Sequence, residues 1–179
     1  MKYSESELKY ARPLANAIID DSDFRQWLLE KTEFEHVSGK LIPVGVEQEK
    51  LRSKGLKNPY WFNYWCGKDS QCMCRVKEGG IETDILIVLR SENGIHIAFH
   101  IEVKRPGDKL RVGQAESYPR RAACWANPDS RPRTVYPHQK FLTILACGRD
   151  LATDPDLSHF DRVVFHDEIE RMIGLYPEP

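Results

Sequence analysis

The sequence predicts an α/β fold, a mixed β-sheet built around an antiparallel three-strand meander and flanked by helices. Three observations predict it. Apolar residues recur at helical spacing near the N-terminus. Strand-length apolar segments then succeed one another up to residue 104, separated by glycine-containing turns. A helical stretch divides these from a further apolar strand at 141–147.

Each element has a local reason. Leu8, Ala11, Leu14, Ala15, Ile18 and Ile19 form one helical stripe, so 5–19 is expected to be an amphipathic helix despite Pro13. A second helix is expected at 22–31, with Phe24, Trp27 and Leu28 inward. Gly39, Pro43, Gly45, Gly55, Pro59 and Gly67 punctuate 36–70, which reads as loops, one short helix near 47–53, and an aromatic cluster at Tyr60, Trp61, Phe62, Tyr64 and Trp65. The meander is expected as a strand at 72–78, a tight turn at Gly79-Gly80, a strand at 82–90 rich in Ile, Leu and Val, and a strand at 95–104. Residues 112–127 read as helix, with Pro119 forcing a kink or a break. A strand at 162–166 follows that at 141–147, and Asp167-x-x-Glu170 reads as a capping box opening a last helix to about Gly174. His166 and Asp167 read as strand-end and cap residues. The whole chain, 1–179, is expected to be a single domain, with a core at about 20–147 and a C-terminal strand–helix extension at 148–179.

The net charge of −1 hides an uneven distribution. Residues 50–140 carry 17 Lys/Arg against 9 Asp/Glu, while 1–49 carry 6 against 10 and 141–179 carry 3 against 8. A basic middle between acidic ends fits a polyanion-binding face and equally an ordinary mixed surface. No run of about 18 apolar residues predicts a membrane span, and 1–20 lacks the apolar region of a signal peptide. Five cysteines, an odd number, favour reduced thiols and a cytoplasmic protein.

The chemistry concentrates at Glu102-Val103-Lys104. Side chains on a strand repeat every two residues, so this carboxylate and ammonium share a face. The hairpin register decides whether Asp84 joins them. A two-residue Asn93-Gly94 loop puts Asp84 opposite Val103, on the wrong face. A three-residue loop of Glu92, Asn93 and Gly94, with Gly94 left-handed, pairs Ser91 with Ile95, Asp84 with Glu102 and Glu82 with Lys104. The three-residue loop is the expectation. Asp84 and Glu102 then offer oxygen ligands to a hard cation such as Mg²⁺, which keeps several waters. Lys104 stands ready to orient a water or to offset charge on phosphorus. Gln114 and Tyr118, four apart, share a helix face. Around them Arg105, Lys109, Arg111, Arg120 and Arg121 form a basic surface able to hold phosphates.

Taken in order, Asp84 on a strand, Glu102-x-Lys104 on the next and Gln114-x-x-x-Tyr118 on the following helix resemble the PD-(D/E)XK nuclease superfamily, in its RecB-like branch. The resemblance spans about 20–147, with its specific residues between 82 and 118. It implies a restriction-endonuclease-like core and hydrolysis of DNA phosphodiester bonds. Roles in defence, recombination or repair follow by analogy alone. It implies Mg²⁺ or Mn²⁺ held by Asp84, Glu102 and the Val103 carbonyl, with Lys104, Gln114 and Tyr118 completing the catalytic set. Lys109, Arg111, Arg120 and Arg121 are the expected contacts to DNA. Some members take a further ligand from the first helix, for which Glu30 and Glu33 are both open. No proline precedes Asp84, and Cys124 and Cys147 do not form the iron–sulfur pattern of certain members.

Other readings stand beside this one. A nuclease fold could bind nucleic acid or protein without cutting. Cys66, Cys72 and Cys74, with His36 or another ligand, could hold zinc, although their spacing lacks the usual knuckle and half-buried thiols are the simpler expectation. The aromatic cluster could stack bases but more often such clusters fill a core. His100 shares the face of Glu102, either as a contact to metal or phosphate or as a structural histidine.

Overall fold

The apolar stripe near the N-terminus forms α1 (Glu5–Asp20), which buries Ala11, Leu14, Ala15 and Ile18 completely. Pro13 lies inside it. A proline there costs roughly 3 kcal/mol, and burial of Leu14 and Ile18 at roughly 1.5–3 kcal/mol each offsets it. Asp21 caps α2 (Ser22–Leu29) by accepting from the Asp23 and Phe24 N–H groups at 2.8 and 3.1 Å. This computed structural model describes residues 5–37, 41–52, 58–66, 74–77 and 82–177.

A two-residue strand β1 (Ile42–Pro43) and a single-turn helix α3 (Gly45–Lys50) lead to β2 (Phe62–Trp65). Here the structure corrects the expected first strand of the meander. Residues 74–77 are not strand, and Cys72, Glu78 and the Gly79-Gly80 turn lie outside the described residues. The aromatic cluster takes that place, because its side chains suit a half-buried pleated surface better than the Arg75-Val76-Lys77 stretch does. The left-handed Asn63 (φ 55) twists β2, so that Phe62 and Tyr64 enter different core clusters although they are two residues apart.

The sheet is mixed and six-stranded. β3 (Glu82–Arg90) pairs antiparallel with β4 (His96–Val103) on one side, and with β1 and β2 in tandem on the other. β5 (Lys140–Cys147) joins β4 in parallel, and β6 (Arg162–Phe165) joins β5 in parallel. The hairpin adopts the expected three-residue loop. Ser91 N–H donates to Ile95 O at 2.9 Å, and Gly94 sits at φ 78. The ladder holds that register from Arg90↔His96 to Ile85↔Ile101.

The crossover between β4 and β5 contains α4 (Gln114–Ala126), and Pro119 does not break it. Complete burial of Ala115, Tyr118, Ala122 and Trp125 against the sheet outweighs the missing hydrogen bond. The last helix, α5 (His166–Ile173), starts two residues earlier than the expected capping box implies. Glu168, not Glu170, reaches back to the N–H of Phe165 at 3.2 Å, and Phe165 has no side-chain acceptor to complete the box.

The sheet divides the core. Ile85, Ile87 and Leu89 with Ile97, Phe99 and Ile101 pack towards α1, α2 and α5, whereas Leu86, Val88 and Ala98 pack with Trp125 of α4. Among the described residues, no helix is long and apolar enough to cross a membrane.

Gly113 fixes where α4 begins. Its φ is 76, and a Cβ there would lie 2.2 Å from Val76 O. Gly94 has the same left-handed backbone but open space around it. Gly94→Ala is therefore expected to cost about 1 kcal/mol of backbone strain alone. Gly113→Ala should cost clearly more, because segment 74–77 must also move. Parallel denaturant titrations of the two variants check this ordering.

Candidate active site

Glu102 is the centre of the constellation. Its strand is buried along nearly its whole length, and the residue is only 2% exposed. An isolated buried carboxylate would be costly, so both of its oxygens are satisfied. Lys104 Nζ lies 2.8 Å from Oε1, where Gln114 Nε2 also donates at 2.7 Å. The Tyr118 hydroxyl donates to Oε2 at 2.5 Å. Gln114 is oriented in turn, because its Oε1 accepts from the Arg111 N–H at 3.0 Å. The strand's two-residue period brings Lys104 to Glu102, and the helix's four-residue period brings Gln114 and Tyr118 down together.

Asp84 arrives differently. Beyond Ile85↔Ile101 a side chain continues the pairing, and the Val103 N–H donates to Asp84 Oδ2 at 2.9 Å. The N–H and C=O of a strand residue point the same way, so the Val103 carbonyl also faces the Asp84 side. Asp84 keeps part of its surface accessible, yet it is densely enclosed. Burial first, and the charge of Glu102 second, hold its carboxyl well above the usual 3.8; the Val103 bond and Lys104 oppose them. Burial works to discharge Lys104, but the charge and hydrogen bond of Glu102 and the charge of Asp84 overcome it, and its pKa rises above 10.5. Lys104 is therefore an ammonium at neutral pH. Burial, Glu102 and Asp84 raise Tyr118 well above 10, which keeps it a donor.

Two further carboxylates approach. Glu82 places Oε2 in the interior without a hydrogen-bond partner. Glu7, on α1, is raised by burial and by Glu102 and Glu82, while Arg105 and Lys104 lower it. Of the acids expected from the first helices, Glu30 and Glu33 are both exposed at and beyond the end of α2. Glu7 is the one brought into electrostatic range of the site. Nothing in its spacing marks it, since its proximity depends on how α1 crosses the end of the sheet. His166 was also read too narrowly: its Nε2 donates to Lys104 O at 2.7 Å, leaving Nδ1 to accept from Tyr176 at 2.9 Å.

The donor set is all oxygen, which suits a hard cation. Mg²⁺ retains several waters and needs only one or two carboxylates, so Asp84, Glu102 and the Val103 carbonyl are the oxygens that could hold it. No group of three or more His, Cys, Asp and Glu is placed to hold a metal among the described residues. Among the described residues the alternative zinc site finds no geometry: Cys66 and Cys74 are buried in the core and Trp125 donates to Cys66 Sγ at 3.3 Å, while Cys72 lies outside the described residues.

Other expected residues separate. Lys109, Arg111 and Arg120 are exposed, Arg120 pairing with Glu116 at 2.6 Å. Arg121 is not on that surface. It is 1% exposed, donates to Thr83 Oγ1 at 2.8 Å, and stacks 4.2 Å over the Tyr118 ring, because its position three residues after Tyr118 turns it inward. His100 has both ring nitrogens buried and without hydrogen-bond partners, packed against Trp125 and His138, and burial drives its pKa well below 6.5. Trp61, Phe62 and Tyr64 fill the core, while Trp65 is 40% exposed.

Compared with known proteins, the chain matches no family model, no curated protein and no solved structure.

A carboxyl whose folded pKa exceeds its unfolded value binds its proton more tightly in the native state. Its stabilising effect is full below the unfolded value and disappears as pH rises through the folded one. In EDTA, Asp84→Asn is expected to stabilise the protein at neutral pH by on the order of 1 kcal/mol. It should also flatten the decline of stability as pH rises from about 4. Urea titrations of both proteins across that range check both outcomes.

Proposed function

We propose that this protein is a metal-dependent nuclease that hydrolyses DNA phosphodiester bonds. The observation that carries the reading is the convergence of Lys104, Gln114 and Tyr118 on the Glu102 carboxylate, with Asp84 tied to the neighbouring Val103 N–H. Three ionisable side chains and two neutral donors, from two strands and a helix, have no packing reason to meet there. Replacing such a buried ionic group by apolar residues is often neutral or stabilising. The likeness of these residues to the PD-(D/E)XK superfamily supplies DNA as the substrate and the restriction-endonuclease-like core as the fold to which the mixed sheet is assigned.

Asp84, Glu102 and the Val103 carbonyl would hold Mg²⁺ or Mn²⁺. When bound, the cation polarises the phosphate and lowers the pKa of a coordinated water. The chain's own residues do the rest. Gln114 and Tyr118 fix both oxygens of Glu102, so that the carboxylate does not swing when its charge is engaged. Lys104, an ammonium at neutral pH, acts as a hydrogen-bond donor that orients the attacking water or offsets charge on the phosphate oxygens. Lys109, Arg111 and Arg120, exposed on the surface, would hold neighbouring phosphates by charge.

Incubation of linear, circular and single-stranded DNA with Mg²⁺, Mn²⁺ or EDTA tests the reading. Cleavage is expected with either metal and not with EDTA, and Lys104→Ala should reduce it by at least about 100-fold. Mg²⁺ should also raise the melting temperature of the native protein, but not that of Asp84→Asn. Cleavage that survives EDTA or Lys104→Ala would overturn the reading. Metal-independent binding without cleavage would favour a non-catalytic binding module.

A further inference from the structure

We infer that Arg121, through its bond to Thr83 and its stack on Tyr118, is a positioning residue that sets the spacing of the two metal-binding carboxylates. The inference rests on the nuclease reading and deepens it.

Thr83 immediately precedes Asp84 on β3, and its side chain is fully buried. Arg121 Nε donates to its hydroxyl at 2.8 Å. The same guanidinium lies 4.2 Å over the ring of Tyr118, whose hydroxyl holds Glu102. One planar group therefore joins the strand carrying Asp84 to the helix residue restraining Glu102. The joint spans the place where the backbone ladder between β3 and β4 gives way to the Asp84–Val103 bond. Where regular pairing ends, the backbone no longer dictates how far Asp84 stands from Glu102, and a side-chain strut can.

The choice of residue fits this role. Burying a guanidinium is costly, and a leucine or methionine would fill the same volume without that cost. Arginine offers what those cannot, a rigid fork that bonds at its edge while its face stacks on a ring. Lysine keeps the charge but neither geometry. At 1% exposure Arg121 has no surface to offer a phosphate, so it acts on the reaction indirectly, and Thr83 and Tyr118 are the contacts that lead to the two carboxylates.

Thr83→Val removes the acceptor with almost no change of shape, and Thr83→Ser keeps the hydroxyl. The native protein, these two variants and Arg121→Lys are compared by turnover and KM on DNA, and by calorimetric titration with Mn²⁺. Thr83→Val and Arg121→Lys are expected to lose roughly 10- to 100-fold in kcat and Mn²⁺ affinity. KM for DNA should stay unchanged, and Thr83→Ser should restore both quantities. A raised KM with unchanged kcat would instead make Arg121 a DNA contact and overturn the proposal. So would a lower melting temperature in Thr83→Val with native turnover and native Mn²⁺ affinity. If Arg121→Lys fails to fold, the Thr83 pair decides. If the native protein cuts no DNA, the nuclease reading fails, and the Mn²⁺ titrations still judge the strut. A native protein that binds no Mn²⁺ overturns both.

Discussion

A buried negative charge at Glu102 is the constraint around which this end of the molecule is organised. Withdrawn from water, the carboxylate requires partners for both oxygens, and the chain supplies three donors from two elements. Each requirement propagates. Gln114 must stand at the first position of α4, so the helix must begin there, and Gly113 permits the left-handed entry. Tyr118 must reach the strand, which keeps α4 continuous through Pro119 because a break would lift it away. Lys104 must remain charged, and Glu102 and Asp84 hold it so.

The same arrangement stores repulsion. Asp84 shares the Lys104 ammonium with Glu102, while Glu82 and Glu7 add further negative potential. Crowding acids at one end of a sheet is a poor design for stability alone. On the proposed reading it suits a place where a cation would be held, in line with the exchange of stability for function at active sites. Among the described residues the core elsewhere is mainly apolar, and its buried polar groups include Gln48, which bonds Tyr64 and the β3 backbone, and His100, whose two unpartnered nitrogens are buried beside Trp125.

Much of this was legible in the sequence. The β3–β4 register could be deduced because a period-two pattern and a glycine turn leave only two loop lengths, of which one joins Asp84 to Glu102. Gln114 and Tyr118 could be paired because helical spacing is local. The expected strand at 72–78 could not be told from the aromatic strand found at Phe62–Trp65, since both segments are short and local propensity decides weakly. Arg121 was legible as a charge but not as a buried one, because its side of the helix depends on the packing of Tyr118. Glu7 and His166 were hidden for a related reason. Each meets the site across more than 60 residues of chain, through the way whole elements cross rather than through any spacing.

The bond from His166 to the Lys104 carbonyl has an electrostatic consequence. His166 is the first residue of α5, and Gln114 is the first of α4. Both helices thus start against Glu102-Val103-Lys104, with their axial dipoles directing partial positive charge towards it. Each such terminus favours a nearby anion by roughly 0.3–1 kcal/mol, more where partly buried. Aligned peptide groups, which bear no formal charge and appear in no count of lysines and arginines, help this edge of the sheet tolerate its crowd of carboxylates.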